Sequence, residues 1–371
     1  MGSDRSPRRI GLAIVGAGRI GLIRGEIAAR HPSVGWIGIA ETRADRGKQV
    51  AERLGADFVT TDFHELLRRP EATAAVIATD EHLHVDPILA AVERGLPLMI
   101  EKPLATELAE SARVLAAIQR SGVDAVVGYT QRFRRRFLVA KEKVRTGQLG
   151  DVTLVTSRAF MNRLVALDNY RRTDQPETIS PMVISGTHAL DVVMWLMEGK
   201  TPVEAYARSI DRVLGPSHRG IDATAGLITM SDGALYHLNI SWALPVEWPG
   251  SVYSLEIGIV GTEGVLTIDD THRDVVMATA IPQPAGYTPD TTRNVDFLES
   301  YPPGNIALGE LWGPMREETS SWLSRLALGH STPHATAAEA HDRLMLTKAL
   351  DLSARRRRPV ALPITPEDET L

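Results

Sequence analysis

The sequence has no cysteine. That excludes disulfides, thiolate nucleophiles, cysteine-ligated zinc and iron–sulfur clusters. It also lacks the run of roughly 18 apolar residues that a membrane-spanning helix needs. No strong charge of either sign is present: 41 Lys and Arg stand against 46 Asp and Glu, for a net charge of −5, which gives no general attraction to nucleic acid. Internal repeats, low-complexity tracts and an H-E-x-x-H metal motif are all missing. The opening Met1–Arg9 stretch is polar and basic, and the apolar Gly11–Val15 that follows is too short for a secretory signal. Met-Gly-Ser-Asp-Arg-Ser matches the myristoylation pattern, but a flexible polar leader accounts for it. The expectation is a cytoplasmic protein with no membrane and no nucleic-acid partner, for which an absence of cysteine is suitable.

What is present is ordinary globular material, 371 residues with 43% apolar and 23% charged side chains, enough for two domains that each bury a core. Short apolar runs at Ile10–Val15, Trp36–Ala40, Phe58–Thr60, Ala74–Thr79, Leu98–Ile100 and Ala125–Gly128 alternate with helical patterns. In one of these, Leu108, Ala112, Leu115 and Ile118 share a face, and Ser121-Gly122 ends it. Regular strand–helix alternation implies parallel strands with helical crossovers, buried on both faces. After Gly150 the pattern changes to longer alternating strands, at Val152–Ala159, Val203–Ser209, Ala223–Met230, Ala234–Trp242, Ser254–Val260 and Gly264–Ile268. Helical stretches lie at Thr187–Met197, Gly309–Leu328 and Ala335–Arg356, and residues 281–305 read as a long surface loop. The expected fold is α/β: a doubly wound Rossmann domain over residues 1–128, then an α+β domain with a large open, mostly antiparallel sheet over residues 129–371.

Gly16-Ala17-Gly18-Arg19-Ile20-Gly21 is a G-x-G-x-x-G that closes the first strand and opens the first helix. The first glycine permits the tight turn, the second lets the backbone approach a pyrophosphate, and the third lets helix and strand pack closely. The helix start then offers free N–H groups and a positive dipole end. Glu41 ends the second strand, where a carboxylate accepts ribose hydroxyls of NAD and repels the extra phosphate of NADP; Arg43 is the competing feature, and NAD is favoured over NADP. Glu101-Lys102-Pro103 follows the fifth strand, at the edge where ligands bind in open α/β sheets. The Lys102–Pro103 bond is a candidate for cis geometry.

With this tripeptide the chain resembles the glucose–fructose oxidoreductase, inositol dehydrogenase and MocA family. The other matching segments are the glycine turn, Ala78-Thr79 with His82-Leu83-His84, Gly128-Tyr129-Thr130-Gln131-Arg132-Phe133, Gly147-Gln148-Leu149-Gly150, His188-Ala189-Leu190-Asp191 and Gly261-Thr262-Glu263-Gly264. The resemblance implies that Lys102 binds the reacting oxygen and His188 exchanges its proton. It places Thr79, His82, His84, Glu101 and Lys102 beside the cofactor, with Gly16, Gly18, Arg19, Ile20, Gly21, Glu41 and Arg43, and it places Gln131, Arg132, Tyr170, Arg171 and His188 at the substrate. The chemistry suits those residue types, since an ammonium stabilises a developing alkoxide and an imidazole both takes and gives a proton. The resemblance also implies a homodimer or homotetramer formed through the exposed face of the second sheet, and a polyol-like substrate.

The chain departs from the family pattern in one place. The usual paired glycines and the aspartate four residues before the histidine are replaced by Ser180-Pro181 and Ile184. Three readings follow: His188 acts with another partner such as Asp191, Asp174 or Glu177 supplies the carboxylate, or catalysis is weak or absent. The expected function is an NAD-dependent dehydrogenase or reductase of a secondary alcohol or ketone in a sugar, cyclitol or related polyol. The rivals are a non-catalytic dinucleotide sensor and an NAD-retaining, redox-assisted lyase or glycosidase. His82-x-His84 lacks a carboxylate at zinc spacing, so no metal is expected. The arginine runs 134–136 and 355–358 read as solvated faces.

Overall fold

The computed structural model describes residues 9–171, 179–218, 220–250, 252–271, 274–284, 291–299 and 301–369. In chain order the elements begin β1 (Ile10–Val15), α1 (Arg19–Ala29), β2 (Val34–Ala40), α2 (Ala44–Leu54), β3 (Phe58–Thr60), α3 (Phe63–Leu67), β4 (Ala74–Ile77), α4 (Val85–Glu93), β5 (Leu98–Ile100), α5 (Leu108–Ser121) and β6 (Ala125–Val127). They continue with α6 (Arg135–Arg145), β7 (Val152–Asn162), α7 (Arg163–Tyr170), α8 (Thr187–Leu196), β8 (Pro202–Ile210), α9 (Gly215–His218), β9 (Ala223–Met230), β10 (Leu235–Leu244), β11 (Val252–Gly261) and β12 (Val265–Asp270). The remainder are β13 (Val276–Pro284), β14 (Thr292–Phe297), β15 (Asn305–Ala307), β16 (Glu310–Trp312), α10 (Pro314–Leu328), β17 (Ala335–Thr336), α11 (Ala337–Arg356), β18 (Val360–Ala361) and α12 (Pro366–Glu369).

The chain divides into two compact units, residues 1–133 with 306–342, and residues 134–305 with 343–371. The first unit's break after residue 133 falls close to the expected boundary at 128, and residues 306–342 group with the first unit as well. The physical reason is burial: on α10, Trp322 and Leu323 are both fully buried and join the core formed by Leu12, Ile14, Ile39 and Val76. α10 also touches α1 directly. Burying such side chains stabilises by about 1.5–3 kcal/mol each, which is ample to hold the segment.

In the first unit the sheet order is β17-β6-β5-β4-β1-β2-β3. All its pairings from β6 to β3 are parallel; β17 adds antiparallel to β6. Crossing from β1 to β4 reverses the direction of winding, and this switch point is where open α/β sheets bind ligands. β1 and β4 are buried along their whole length, which explains their unbroken apolar sequence.

In the second unit the order is β12-β11-β7-β10-β9-β8-β18. β7 and β10 pair in parallel and the other neighbours are antiparallel. Alternation separates the faces: along β10, Tyr236, Leu238, Ile240 and Trp242 are buried while His237 is exposed. α8 packs against β7, and Leu350 of α11 closes on Gly226 of β9. The opposite face holds an open cavity of about 550 Å³, lined among others by Phe160, Arg208, Ile210, Ala223, Asn239 and Ser241.

The stretch 281–305, expected to be a loop, is in part a hairpin. β13 pairs antiparallel with β14, and Phe297 of β14 meets Trp248 edge-on at 5.7 Å. Its prolines and polar residues disguised a two-stranded ribbon, whose alternation is weak because much of it is exposed.

Candidate active site

The register of the parallel sheet brings the strand ends of the first unit into line. Main-chain bonds continue past the strands, from Gly16 N to Ala40 O, Ala78 N to Val15 O, Glu101 N to Ile77 O and Gly128 N to Ile100 O, all at 2.8–2.9 Å. Gly16, Glu41, Thr79, Glu101-Lys102 and the 128–133 turn thereby share one edge.

At that edge the glycines do what their spacing suggested. Gly16 has φ +92°, and a Cβ there would meet the Ala78 carbonyl oxygen at 2.5 Å. A Cβ on Gly21 would lie 2.0 Å from Gly16 O, so helix and turn touch. Around Gly18 nothing among the described residues comes within 4 Å of a Cβ position, leaving the backbone approachable. Gly18 caps α1 without a side-chain bond, and the first turn of the helix has no acidic residue. Arg19 is exposed and Ile20 half-buried.

Glu41 is buried, and its carboxylate accepts from Ala17 N and from Arg43 N, both at 3.1 Å. It is thus fixed against the glycine turn, with acceptor capacity left on Oε2, which takes only the Ala17 N–H, while Oε1 is met by Thr42 and Arg43. The Arg43 side chain is 71% exposed and lies 3.5 Å from the same carboxylate. Thr79 Oγ1 is buried and has no hydrogen-bond partner among the described residues. An orphaned hydroxyl beside an approachable glycine turn is what a dinucleotide site presents before it is filled.

His82 and His84 diverge. His82 is exposed on a short turn, Glu81–Leu83, whereas His84 is 1% exposed and faces inward. Its Nδ1 lies 2.8 Å from Pro103 O and its Nε2 3.2 Å from Thr79 O. Of the two candidate rings, that of His84 is committed to main-chain carbonyls and that of His82 is exposed. The Lys102–Pro103 peptide is cis, and Lys102 itself is half-buried.

Beneath this edge lies a cluster that sequence reasoning missed. Arg24 of α1 is fully buried. Its Nε donates to Glu101 Oε1 at 2.5 Å, one terminal nitrogen to Thr319 Oγ1 at 2.8 Å and the other to Glu318 Oε2 at 2.8 Å. Thr130 Oγ1 donates to the same Glu318 oxygen at 2.8 Å. Burial opposes the charge on Arg24, but the two carboxylates outweigh it and raise its pKa. Burial pushes the Glu318 carboxyl up, and Glu101 adds repulsion that Arg24 offsets. The available signal was an arginine on the face of α1 that also carries Gly21, Gly25, Ile27 and Ala28.

In the 130–133 turn, Gln131 Oε1 is buried without a partner among the described residues. Arg132 is 1% exposed and donates to Glu339 Oε1 at 2.9 Å. Its guanidinium is engaged with that half-buried carboxylate, and Gln131 is a substrate candidate with an unspent polar atom.

In the second unit, His188 stands half-buried on the first turn of α8, directly after a π-helical turn, Met182–Gly186. Ile184 in that turn is buried and apolar. Asp191, one turn on, is fully buried, and its Oδ1 lies 3.4 Å from Arg343 Nε. Asp174 and Glu177 lie outside the described residues. Ser180, the other departure from the family pattern, donates to Asp351 Oδ2 at 2.6 Å; burial pushes the Asp351 carboxyl up to about 6.

Tyr170 is buried, stacks on His218 at 5.3 Å and meets Trp242 edge-on at 6.2 Å. Trp242 Nε1 donates to Ser185 Oγ at 2.8 Å, which links these rings to the π-helical turn just before His188. The Tyr170 hydroxyl has no partner among the described residues, and burial raises its pKa to about 12. A Cβ on Gly220 would sit 1.8 Å from that hydroxyl, so only glycine leaves room for it. Arg171 is exposed. His218, Trp242 and Ser185 had no motif to announce them.

Comparison with known proteins agrees with this geometry. Residues 10–129 match the model of the GFO/IDH/MocA oxidoreductase family with its NAD-binding Rossmann fold, and residues 137–267 match the GFO/IDH/MocA C-terminal domain. A myo-inositol 2-dehydrogenase of Thermotoga maritima is 25% identical over 280 residues, covering 72% of this chain and 78% of the relative. An inositol 2-dehydrogenase of Acidothermus cellulolyticus is 29% identical over 280 residues, covering 72% and 74%. The crystal structure of scyllo-inositol dehydrogenase from Lactobacillus casei with bound NAD(H) and scyllo-inositol shares the fold, with a TM-score of 0.75 at 18% identity over 95% of this chain and 99% of that one. The chain belongs to the GFO/IDH/MocA family of oxidoreductases, and residues 10–129 are its NAD-binding Rossmann fold.

Proposed function

We propose that this protein is an NAD-dependent dehydrogenase that interconverts a secondary alcohol and a ketone on a cyclitol, sugar or related polyol. The observation that carries the reading is the shared sheet edge, where an approachable glycine turn, the Glu41 carboxylate, an orphaned Thr79 hydroxyl and the Lys102 turn line up. The turn at Gly16–Gly21 would hold the pyrophosphate, and Glu41 the adenosine ribose. Bound NAD supplies a hydride acceptor at the nicotinamide ring. In the proposed roles, the Lys102 ammonium steadies the substrate oxygen as it gains negative charge, and His188 takes the hydroxyl proton. Tyr170 and Gln131 offer unspent polar atoms to substrate hydroxyls. Inositol dehydrogenases among the relatives support a polyhydroxylated ring as substrate.

One observation favours a second reading. Ile184 places a buried apolar group where the family pattern has a carboxylate, so a chain that binds NAD without turnover is the rival. Following NADH absorbance over a panel of polyols separates them. The dehydrogenase reading expects turnover on at least one polyol, and a fall of about 10²-fold or more in Lys102→Ala. Tight NAD binding with no turnover on any of them would hand the case to the sensor.

A further inference from the structure

Thr79 and Lys102 stand on separate loops, after β4 and after β5, yet one side chain reaches both loops. His84 opens α4, and its carbonyl accepts from Ile88 N at 3.1 Å. Val85 and Ile88 on that first turn are buried, so the ring projects from a fixed base. It meets the carbonyl of Pro103, next to Lys102, at 2.8 Å, and the carbonyl of Thr79 at 3.2 Å.

The two partners make this ring unusual. Carbonyl oxygens only accept, so each contact calls for an N–H on the ring. His334 shows the contrast: its Nε2 donates to the Glu318 carbonyl at 3.0 Å while its Nδ1 accepts from the Thr332 hydroxyl at 2.7 Å, a set that one neutral tautomer satisfies. No neutral tautomer of His84 donates to both its partners at once. Burial disfavours the charged ring, and the nearby Glu81 and Glu101 pull the other way. A ring kept between two acceptors in the core has a use for both.

We propose that His84 is a positioning residue: its ring ties the Thr79 loop to the Lys102–Pro103 turn, so that the cofactor-facing hydroxyl and the ammonium are set by one side chain. The role of Lys102 here rests on the dehydrogenase reading above; the tie between the loops does not.

The ring's two nitrogens allow a split test. In His84→Asn the amide nitrogen falls near the place of Nδ1 and keeps the Pro103 contact. In His84→Gln it falls near Nε2 and keeps the Thr79 contact. NADH dissociation constants are measured by fluorescence with no substrate present, amide exchange is followed at residues 79–83 and 104–105, and kcat is taken on whichever polyol the wild type oxidises. His84→Asn should weaken NADH by about tenfold and speed exchange at 79–83, with the smaller effect on kcat. His84→Gln should lower kcat by about tenfold and speed exchange at 104–105, with the smaller effect on NADH. His84→Ala should do both. If Asn and Gln act alike in binding and exchange, or if neither departs from wild type, the clamp is wrong. A wild type that oxidises no polyol sinks the dehydrogenase reading instead, and the binding and exchange comparison still decides the clamp.

Discussion

Arg24 is a charged side chain with no exposed surface, and what it holds decides whether the sheet edge keeps its shape. Two carboxylates, from positions 101 and 318, meet its guanidinium on different sides. Removing the cation while leaving a fully buried Glu318 beside a partly buried Glu101 is far worse than removing the whole group, because one carboxylate must then take a proton or draw in water. Arg24→Met should therefore cost about 3–5 kcal/mol of stability. The double variant Arg24→Met with Glu318→Gln should recover a good part of that loss, since it deletes one of the stranded charges. Chemical denaturation of the wild type and both variants measures it. A single variant within about 1 kcal/mol of wild type would mean the cluster is solvated and contributes little. The residue scale is also where the sequence was least informative. Gly16, Glu41 and Lys102 could be read because their roles are fixed by local spacing around a turn or a strand end. Arg24 could not, because its partner Glu318 lies 294 positions away. Nor could the sequence distinguish His82 from His84, two neighbours of which one is exposed and the other buried.

At the scale of elements, legibility followed burial. The parallel strands were readable almost to the residue because both their faces are covered, which forces continuous apolar runs. The hairpin at β13 and β14 was not, because an exposed ribbon has no such demand on it. The return of α10 and β17 to the first unit was hidden for another reason: nothing in the pattern of an amphipathic helix names the core it will join. That returning segment carries a titratable group with a defined consequence. Burial lowers the pKa of His334 from 6.5 to about 3, against a helpful bond to the Glu318 carbonyl. The unfolded chain therefore binds a proton at this site over a range where the folded chain does not. Its contribution is fully present above about pH 6.5 and is lost as pH falls, by about 2 kcal/mol at pH 5. Asp351 in the second unit works in the opposite sense, since its carboxyl is raised to about 6 and favours the folded state on the acid side. Comparing His334→Gln with wild type cancels the Asp351 contribution. The variant should lose less stability between pH 7 and pH 5 than wild type does, by about that same 2 kcal/mol. Parallel losses in the two proteins would show that His334 stays neutral in both states or is solvated when folded.

For the molecule as a whole, the face of the second sheet turned away from α8 and α11 is exposed in part among the described residues. Ile210 is 52% exposed, Val260 40% and Leu154 37%, and the 550 Å³ cavity opens among Phe160, Ile210 and Ala223. Polar groups interrupt this surface: Arg158 pairs with Glu256, and Arg208 lies over the Tyr206 ring at 4.9 Å. A mixture of aliphatic, aromatic and arginine side chains on an exposed sheet face suits an interface between chains. A second copy of the chain is the occupant this argues for, because a sheet face that is the same in both partners can be buried by a twofold axis without any new surface. The expectation is a homodimer, or a tetramer built from such dimers. Ile210→Asp would then place a charge within the buried patch, and a desolvated, unpaired carboxylate there costs several kcal/mol counted over the two copies. Sedimentation at micromolar protein should show the wild type as a dimer or larger and the variant shifted toward monomer, with NADH affinity kept, since Ile210 lies on β8 and not on the sheet edge of the first unit that carries the cofactor candidates. A wild type that sediments as a monomer would remove the second copy, and the open face would then need a different covering.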